Sequence, residues 1–276
     1  MVEGRRDYTG EEVEAARAVL LELGHILSEY WDGIVLVGGW VPYFITPQAT
    51  APHEGTKDVD LALNPRKLGE SGYSTIGEIL MQSLYQQDTK KAFRYYRTVP
   101  IKGRSVRVMV DFLTGSNGGD AEEGRLQEIQ DVMASALHGC DVAFLDPVAQ
   151  DFTGIFPDGG KDEVALRVAS IPSFLVMKGF ALHNRGGADG RKDAYDIYYC
   201  VKNYPGGVEA LAALFHPYLE NPLIQEGLSR IAEKFATLEH IGPQFVSDRG
   251  ENKEEIERLR RDSYEQIQAF LNLLGK

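Results

Sequence analysis

The sequence predicts an α+β fold, with strands and helices through the first 170 residues and a helical bundle after them. Short β-branched runs bounded by glycine and proline, such as Gly33-Ile34-Val35-Leu36-Val37 and Asp58-Val59-Asp60-Leu61-Ala62-Leu63, have the length and composition of strands. From Ile171 onward, apolar residues recur at helical spacing almost throughout. The change of pattern near residue 170 divides the chain into domains 1–170 and 171–276.

The first element is a helix. Thr9 and Glu12 form a T-x-x-E capping pair, in which each side chain bonds the other's free backbone N–H. Val13, Val19, Leu20, Leu23, Ile26 and Leu27 follow at helical spacing. The apolar run ending at Val37 is a buried strand, and Gly38-Gly39-Trp40 turns it into a short helix at 41–45. Residues 46–56, with Pro47, Pro52 and Gly55, read as a loop. Asp58 to Leu63 is the second strand, and 74–86 a helix. Strands at 92–101 and 104–113 join through Lys102-Gly103. In the second of these, Val106, Val108 and Val110 alternate with Arg107, Met109 and Asp111. Residues 114–125 are rich in Gly, Ser, Asn and acids and predict a mobile loop. Short strands around 142–145 and 164–168 complete the first domain. Helices are predicted at 172–184, 189–203, 206–217, 220–237 and 251–274.

The charge balance is acidic: 41 Asp and Glu against 29 Lys and Arg, a net −12. This argues against broad non-specific binding to DNA or RNA, which needs basic surface, and suits a soluble protein that gathers divalent cations. No apolar run approaches the roughly 18 residues of a membrane span. The N-terminus has no apolar stretch behind its arginines, so it is not a secretory signal. Cys140 and Cys200 lack metal-binding spacing and read as reduced thiols of a cytoplasmic protein. Gly38-Gly39 is not G-x-G-x-x-G, and no P-loop, H-E-x-x-H or G-x-S-x-G occurs.

Asp58 and Asp60, two apart on a strand, project from one face. Side by side they repel unless a cation lies between them. Mg²⁺ (or Mn²⁺) takes hard oxygen ligands, typically one or two carboxylates plus substrate phosphates. A solvent-facing pair on an edge strand has the same spacing, but three neighbours favour the metal. The Gly38-Gly39 turn offers backbone N–H groups to phosphates. Asp111 is a carboxylate in an apolar strand, costly unless paired or functional. Thr56 brings a hydroxyl to the entrance of the strand, for the loop or for a phosphate.

In the second domain, Lys178 lies in the nearly all-apolar helix Phe174 to Leu182. Its ammonium needs an anion, of which a triphosphate is one; otherwise the stem is buried and the head snorkels to the surface. Asp193 suits the first turn of the next helix through the helix dipole. Asp196, one turn on, is placed to pair with Lys178 or Arg185.

The ordered set G-G-W, T-x-D-x-D and a strand-borne Asp resembles the nucleotidyltransferase superfamily. The lysine helix followed by Arg191-Lys192-Asp193-Ala194-Tyr195-Asp196-Ile197-Tyr198 resembles the AbiEii/AbiGii-type nucleotidyltransferases, toxin halves of bacterial toxin–antitoxin and abortive-infection systems. The resemblance covers residues 33–203. It implies a nucleotidyltransferase-like mixed β-sheet with flanking helices as the catalytic domain, and a helical domain that contributes to the nucleotide site. It implies that Asp58 and Asp60 bind metal, and that Asp111 completes the metal site or deprotonates the acceptor hydroxyl. By the same resemblance Gly38, Gly39 and Thr56 lie at the nucleotide, Lys178 meets its phosphates and Asp196 is a further functional acid. The implied reaction moves a nucleoside monophosphate from an NTP to a hydroxyl of an RNA 3′ end or a protein, and a cognate antitoxin is the implied partner.

The sequence departs from the pattern at Gly39, where many members carry Ser, and in the longer gap from Gly39 to Asp58. Two other readings stand beside the enzyme: a non-catalytic nucleotide- or partner-binding module on a degenerate fold, and a small-molecule nucleotidyltransferase of the antibiotic-modifying type. Trp40 is expected to pack behind the first strand rather than stack on a base. Arg94, Arg97, Arg104 and Arg107 line either an acceptor groove or a solvated face. His53 reads as an inert loop histidine.

Overall fold

The computed structural model describes residues 9–47, 49, 53, 55–69, 74–116 and 124–276. The chain forms two compact units: Tyr8–Phe44 with Glu54–Ser170, and Ile45–His53 with Ile171–Lys276.

The first unit is built on a mixed sheet. Its strands are β1 (Ile34–Val37), β2 (Asp58–Leu63), β3 (Gln86–Gln87), β4 (Arg94–Ile101), β5 (Arg104–Gly115), β6 (Leu126–Ile129), β7 (Val132–Leu137), β8 (Val148–Ile155) and β9 (Lys161–Val168). The order is β3-β4-β5-β2-β1-β9-β8, with β7 joining the far end of β5 and β6 pairing β7. β2 runs antiparallel to β1 and parallel to β5, and β1 runs parallel to β9.

Helix α1 (Gly10–Ile26) starts at the Thr9–Glu12 capping box, with both reciprocal hydrogen bonds formed. It covers one face of the sheet. A Cβ on Gly24 would overlap Val164 and Leu166, so the glycine sets how closely helix and sheet approach. Glu22 on α1 pairs with Arg97, which shares the α1-facing side of β4 with buried Tyr95 and Val99. Val108 and Val110, register partners of Arg97 and Tyr95, are fully buried on that side. By the period of two, Arg94, Tyr96, Arg107, Met109 and Asp111 belong to the opposite face.

Several predicted elements change. The strand predicted at 142–145 is a 3₁₀ turn, Cys140–Phe144, launched by Gly139 at φ +82. The helix predicted at 74–86 shrinks to α3 (Ile76–Gln82), because Leu84 takes a positive φ of 66 just beyond it. The β6–β7 hairpin was not anticipated. Its turn places Gln130 and Asp131 at φ 53 and 60, without the Asn-Gly or Asp-Gly pair that usually marks such a turn. β8 also escaped notice, since its apolar residues follow no regular alternation and only Phe152 is buried. Within the predicted loop 114–125, β5 extends to Gly115, and residues 117–123 lie outside the described residues.

The second unit holds α4 (Ile171–Asn184), α5 (Gly187–Asn203), α6 (Gly207–Ala213), α7 (Pro222–Lys234), α8 (Ile241–Ser247) and α9 (Lys253–Leu273). α2 (Val41–Ile45) is the short helix after the glycine turn. The helix predicted at 206–217 ends at Ala213 and gives way to a 3₁₀ turn, His216–Tyr218, while α8 was not anticipated. Phe174, Phe215, Phe235 and Phe270 are buried in this unit. α4 and α7 meet at Gly179 and Gly227, where added methyl groups would run into the other helix's backbone. Among the described residues no helix is long and apolar enough to cross a membrane.

Candidate active site

The carboxylate face begins at the end of β1. Gly38 sits at φ +69, in the left-handed region that favours glycine. A Cβ there would overlap the Asp60 carboxylate, so this turn also needs glycine for close approach. Val37 is the register partner of Asp60, which fixes the turn beside that carboxylate. Asp58 is held at both ends: the Thr56 hydroxyl donates to its Oδ1 at 2.6 Å, and the Trp40 indole N–H donates to its backbone carbonyl at 2.9 Å. Trp40 is fully buried and edge-on to Tyr43 and Phe152, so packing takes its ring.

Across the sheet, Asp60 pairs in register with Asp111, and Asp111 with Arg94. Arg94 grips Asp111 with two parallel hydrogen bonds: Nε to Oδ1 and Nη2 to Oδ2, both 2.7 Å. The hydrogen bonding to Asp111 raises the Arg94 pKa further above its ordinary value, against burial. The second row runs Asp58, Met109, Tyr96. Among the described residues no three histidine, cysteine or carboxylate side chains converge as a metal cluster. Nearby, Cys140 is pushed up to about 12 by burial and then by the charges of Asp141 and Asp60.

The four arginines flagged in the sequence diverge. Arg97 is tied to Glu22, Arg104 to Glu11 and Arg94 to Asp111. Arg107 is exposed, with its guanidinium carbon over the Tyr96 ring, 3.5 Å from the centroid.

In the helical unit, Lys178 of α4 meets two aspartates of α5. Its Nζ is 2.7 Å from Asp193 Oδ1 and 2.8 Å from Asp196 Oδ2. Burial pushes the lysine pKa down, but the two carboxylates outweigh it and raise the net value. The Asp196 pKa is lowered: burial opposes the shift, and Lys178, Lys192 and His53 carry it. The ammonium neither snorkels nor stands unpaired. Arg185 approaches Asp193 Oδ2 at 3.6 Å. The His53 ring packs edge-on to Tyr199. Burial lowers its pKa although Asp196 acts to raise it.

The family description "Nucleotidyl transferase AbiEii toxin, Type IV TA system" matches residues 55–272. The chain belongs to the AbiEii family. No curated protein shows a significant match to the sequence. A solved structure from H. pylori, provisionally described as a nucleotidyltransferase, is 13% identical with a TM-score of 0.39, covering 96% of this chain and 99% of that one.

The AbiEii chain therefore groups its predicted site residues in two sets. Gly38, Thr56, Asp58, Asp60 and Asp111 gather at one face of the sheet unit, with Gly39 in the turn. Lys178 and Asp196 gather in the helical unit. Two partners were undervalued in the sequence. Asp193 reads there as a first-turn acid, but α5 starts at Gly187, which puts Asp193 in the helix interior, buried against Lys178. Arg94 reads as lining either an acceptor groove or a solvated face, whereas its register with Asp111 makes it an internal partner; the matched positions on two antiparallel strands were the available signal.

Proposed function

We propose that this AbiEii-family toxin is a divalent-metal-dependent nucleotidyltransferase, moving a nucleoside monophosphate from an NTP to the hydroxyl of an RNA 3′ end or a protein. The observation that carries the proposal is the pairing of Asp58 and Asp60 on one strand face with Gly38 pressed against Asp60. Their carboxylates are hard oxygen donors of the kind Mg²⁺ or Mn²⁺ accepts, and they would hold the ion. Bound there, it supplies charge neutralisation for the triphosphate. Thr56 orients Asp58 through its hydrogen bond, and Trp40 fixes the backbone beneath it. The acceptor hydroxyl gives up its proton to solvent as its oxygen forms a bond to the α-phosphorus, the bond to the bridging oxygen breaks, and pyrophosphate leaves with that electron pair. Lys178, oriented by Asp193 and Asp196, is the helical unit's proposed phosphate-binding cation, and Asp196 its functional acid. An antitoxin protein is the proposed partner, in keeping with the family.

The experiment is incorporation of each α-labelled NTP into cell extract with Mg²⁺, comparing wild type with Asp58→Ala plus Asp60→Ala. The expected result is label in RNA or protein from the wild type alone. Equal labelling by both proteins would overturn the proposal. The clamp on Asp111 favours one second reading, a nucleotide-binding module without turnover, which NTP binding with no labelled acceptor would support.

A further inference from the structure

Three of the four arginines on the β4–β5 hairpin meet an acid, and so does Lys102 in its turn. Arg107 does not: among the described residues it has no ion pair, although acids outnumber bases 41 to 29 in the chain. What holds it is the Tyr96 ring, which its guanidinium carbon approaches to 3.5 Å from the centroid. The surroundings are locally basic. From Gln86 to Asp111 the chain carries seven basic residues and only two acids, Asp88 and Asp111, within a protein of net charge −12. Lys90 and Lys91, both exposed, lie on the turn that enters β4.

The pair lies beside the candidate carboxylates. Tyr96 ends the row Asp58, Met109, Tyr96, two strand spacings or about 10 Å from Asp58. Arg107 is two residues from Met109 on β5, so it shares that face. Unpaired RNA bases stack on tyrosine rings and on arginine planes, and the guanidinium N–H groups also bond phosphate oxygens. Planar bases joined by phosphates match both parts of the pair; a polypeptide acceptor offers neither.

We propose that Tyr96 and Arg107 form a stacking platform for an unpaired base near the 3′ end of a single-stranded RNA, and that RNA rather than protein is the acceptor. The inference rests on the reaction proposed above at Asp58 and Asp60.

The test is fluorescence anisotropy of the full chain with a short single-stranded RNA, labelled at its 5′ end with fluorescein and carrying a free 3′ hydroxyl, without NTP. Arg107→Ala and Tyr96→Leu should each weaken binding by about tenfold or more. Tyr96→Phe keeps the ring and should bind as the wild type does. Arg107→Lys keeps the charge without the planar group and should fall between wild type and Arg107→Ala. Mg²⁺–NTP affinity should stay unchanged in all four, which separates loss of the platform from loss of the sheet. The same RNA as a duplex should bind more weakly, because its bases stay inside the helix. Wild-type RNA affinity in both Arg107→Ala and Tyr96→Leu, no RNA binding by the wild type, or label transferred to protein alone would overturn this inference and leave the Asp58–Asp60 reading standing. Labelling that survives Asp58→Ala plus Asp60→Ala would overturn that reading instead, since the RNA affinities need no turnover.

Discussion

Replacing Lys178 by Met removes the ammonium that lies between two buried aspartates. The Asp193 and Asp196 side chains are 2% and 3% exposed, against 10% for Lys178, so neither carboxylate can turn to water without moving α4 or α5. Methionine fills the volume of the lysine stem and restores none of the charge. Removing one partner of a buried ion pair costs about 3–5 kcal/mol. Arg185, 3.6 Å from Asp193 and half exposed, offsets only part of this. The pH dependence gives a sharper test. In the wild type the Asp196 pKa is lowered, so its contribution is present above the unfolded carboxylate value and fades as pH falls through the folded one. In Lys178→Met the buried carboxylates lose their cation, and desolvation raises their pKa. The folded state then binds more protons than the unfolded state, and stability rises as pH falls from 7 toward 5. Urea unfolding followed by far-UV circular dichroism across that range reads both effects. A loss under about 1 kcal/mol at pH 7, or a pH slope with the wild-type sign, would refute the reasoning. Lys178→Met combined with Asp193→Asn and Asp196→Asn should recover much of the loss.

Two further outcomes follow from the sheet unit and the thiols. Gly38→Ala should lose about 1–2 kcal/mol from the left-handed backbone alone, and should weaken Mg²⁺-dependent NTP binding because its methyl displaces the Asp60 carboxylate; unchanged binding in calorimetry would contradict this. Cys140 and Cys200 are both buried and raised in pKa, so at pH 8 a disulfide reagent should label them on the order of a thousandfold more slowly in the native protein than in urea; rapid labelling of either in native buffer would contradict this.

Elements with strong local signals were legible from the sequence. The Thr9–Glu12 box, the β-branched run into Gly38, and Asp58 to Leu63 carry their periodicity within a few residues. Elements specified by distant partners were not. β8 draws its pairing from β9 and exposes most of its side chains, while Cys140–Phe144 has strand-like composition but is launched by a left-handed glycine. The same division holds at the candidate site. The D-x-D spacing showed which carboxylates share a face, because period two is local. That Asp111 would be clamped by Arg94 depends on the β4–β5 register, and that Asp193 would join Lys178 depends on where α5 begins. An aspartate's partner is a property of the packing, and spacing alone does not name it.

The central claim is that Asp58 and Asp60 bind a metal–nucleotide complex. Equilibrium binding of a non-hydrolysable NTP analogue, with and without Mg²⁺, tests it most directly on wild type and on Asp58→Asn plus Asp60→Asn. Mg²⁺ should tighten wild-type binding by about tenfold or more, equivalent to about 1.4 kcal/mol, and should leave the double variant unchanged. Equal tightening in both proteins, or none in the wild type, would contradict the claim.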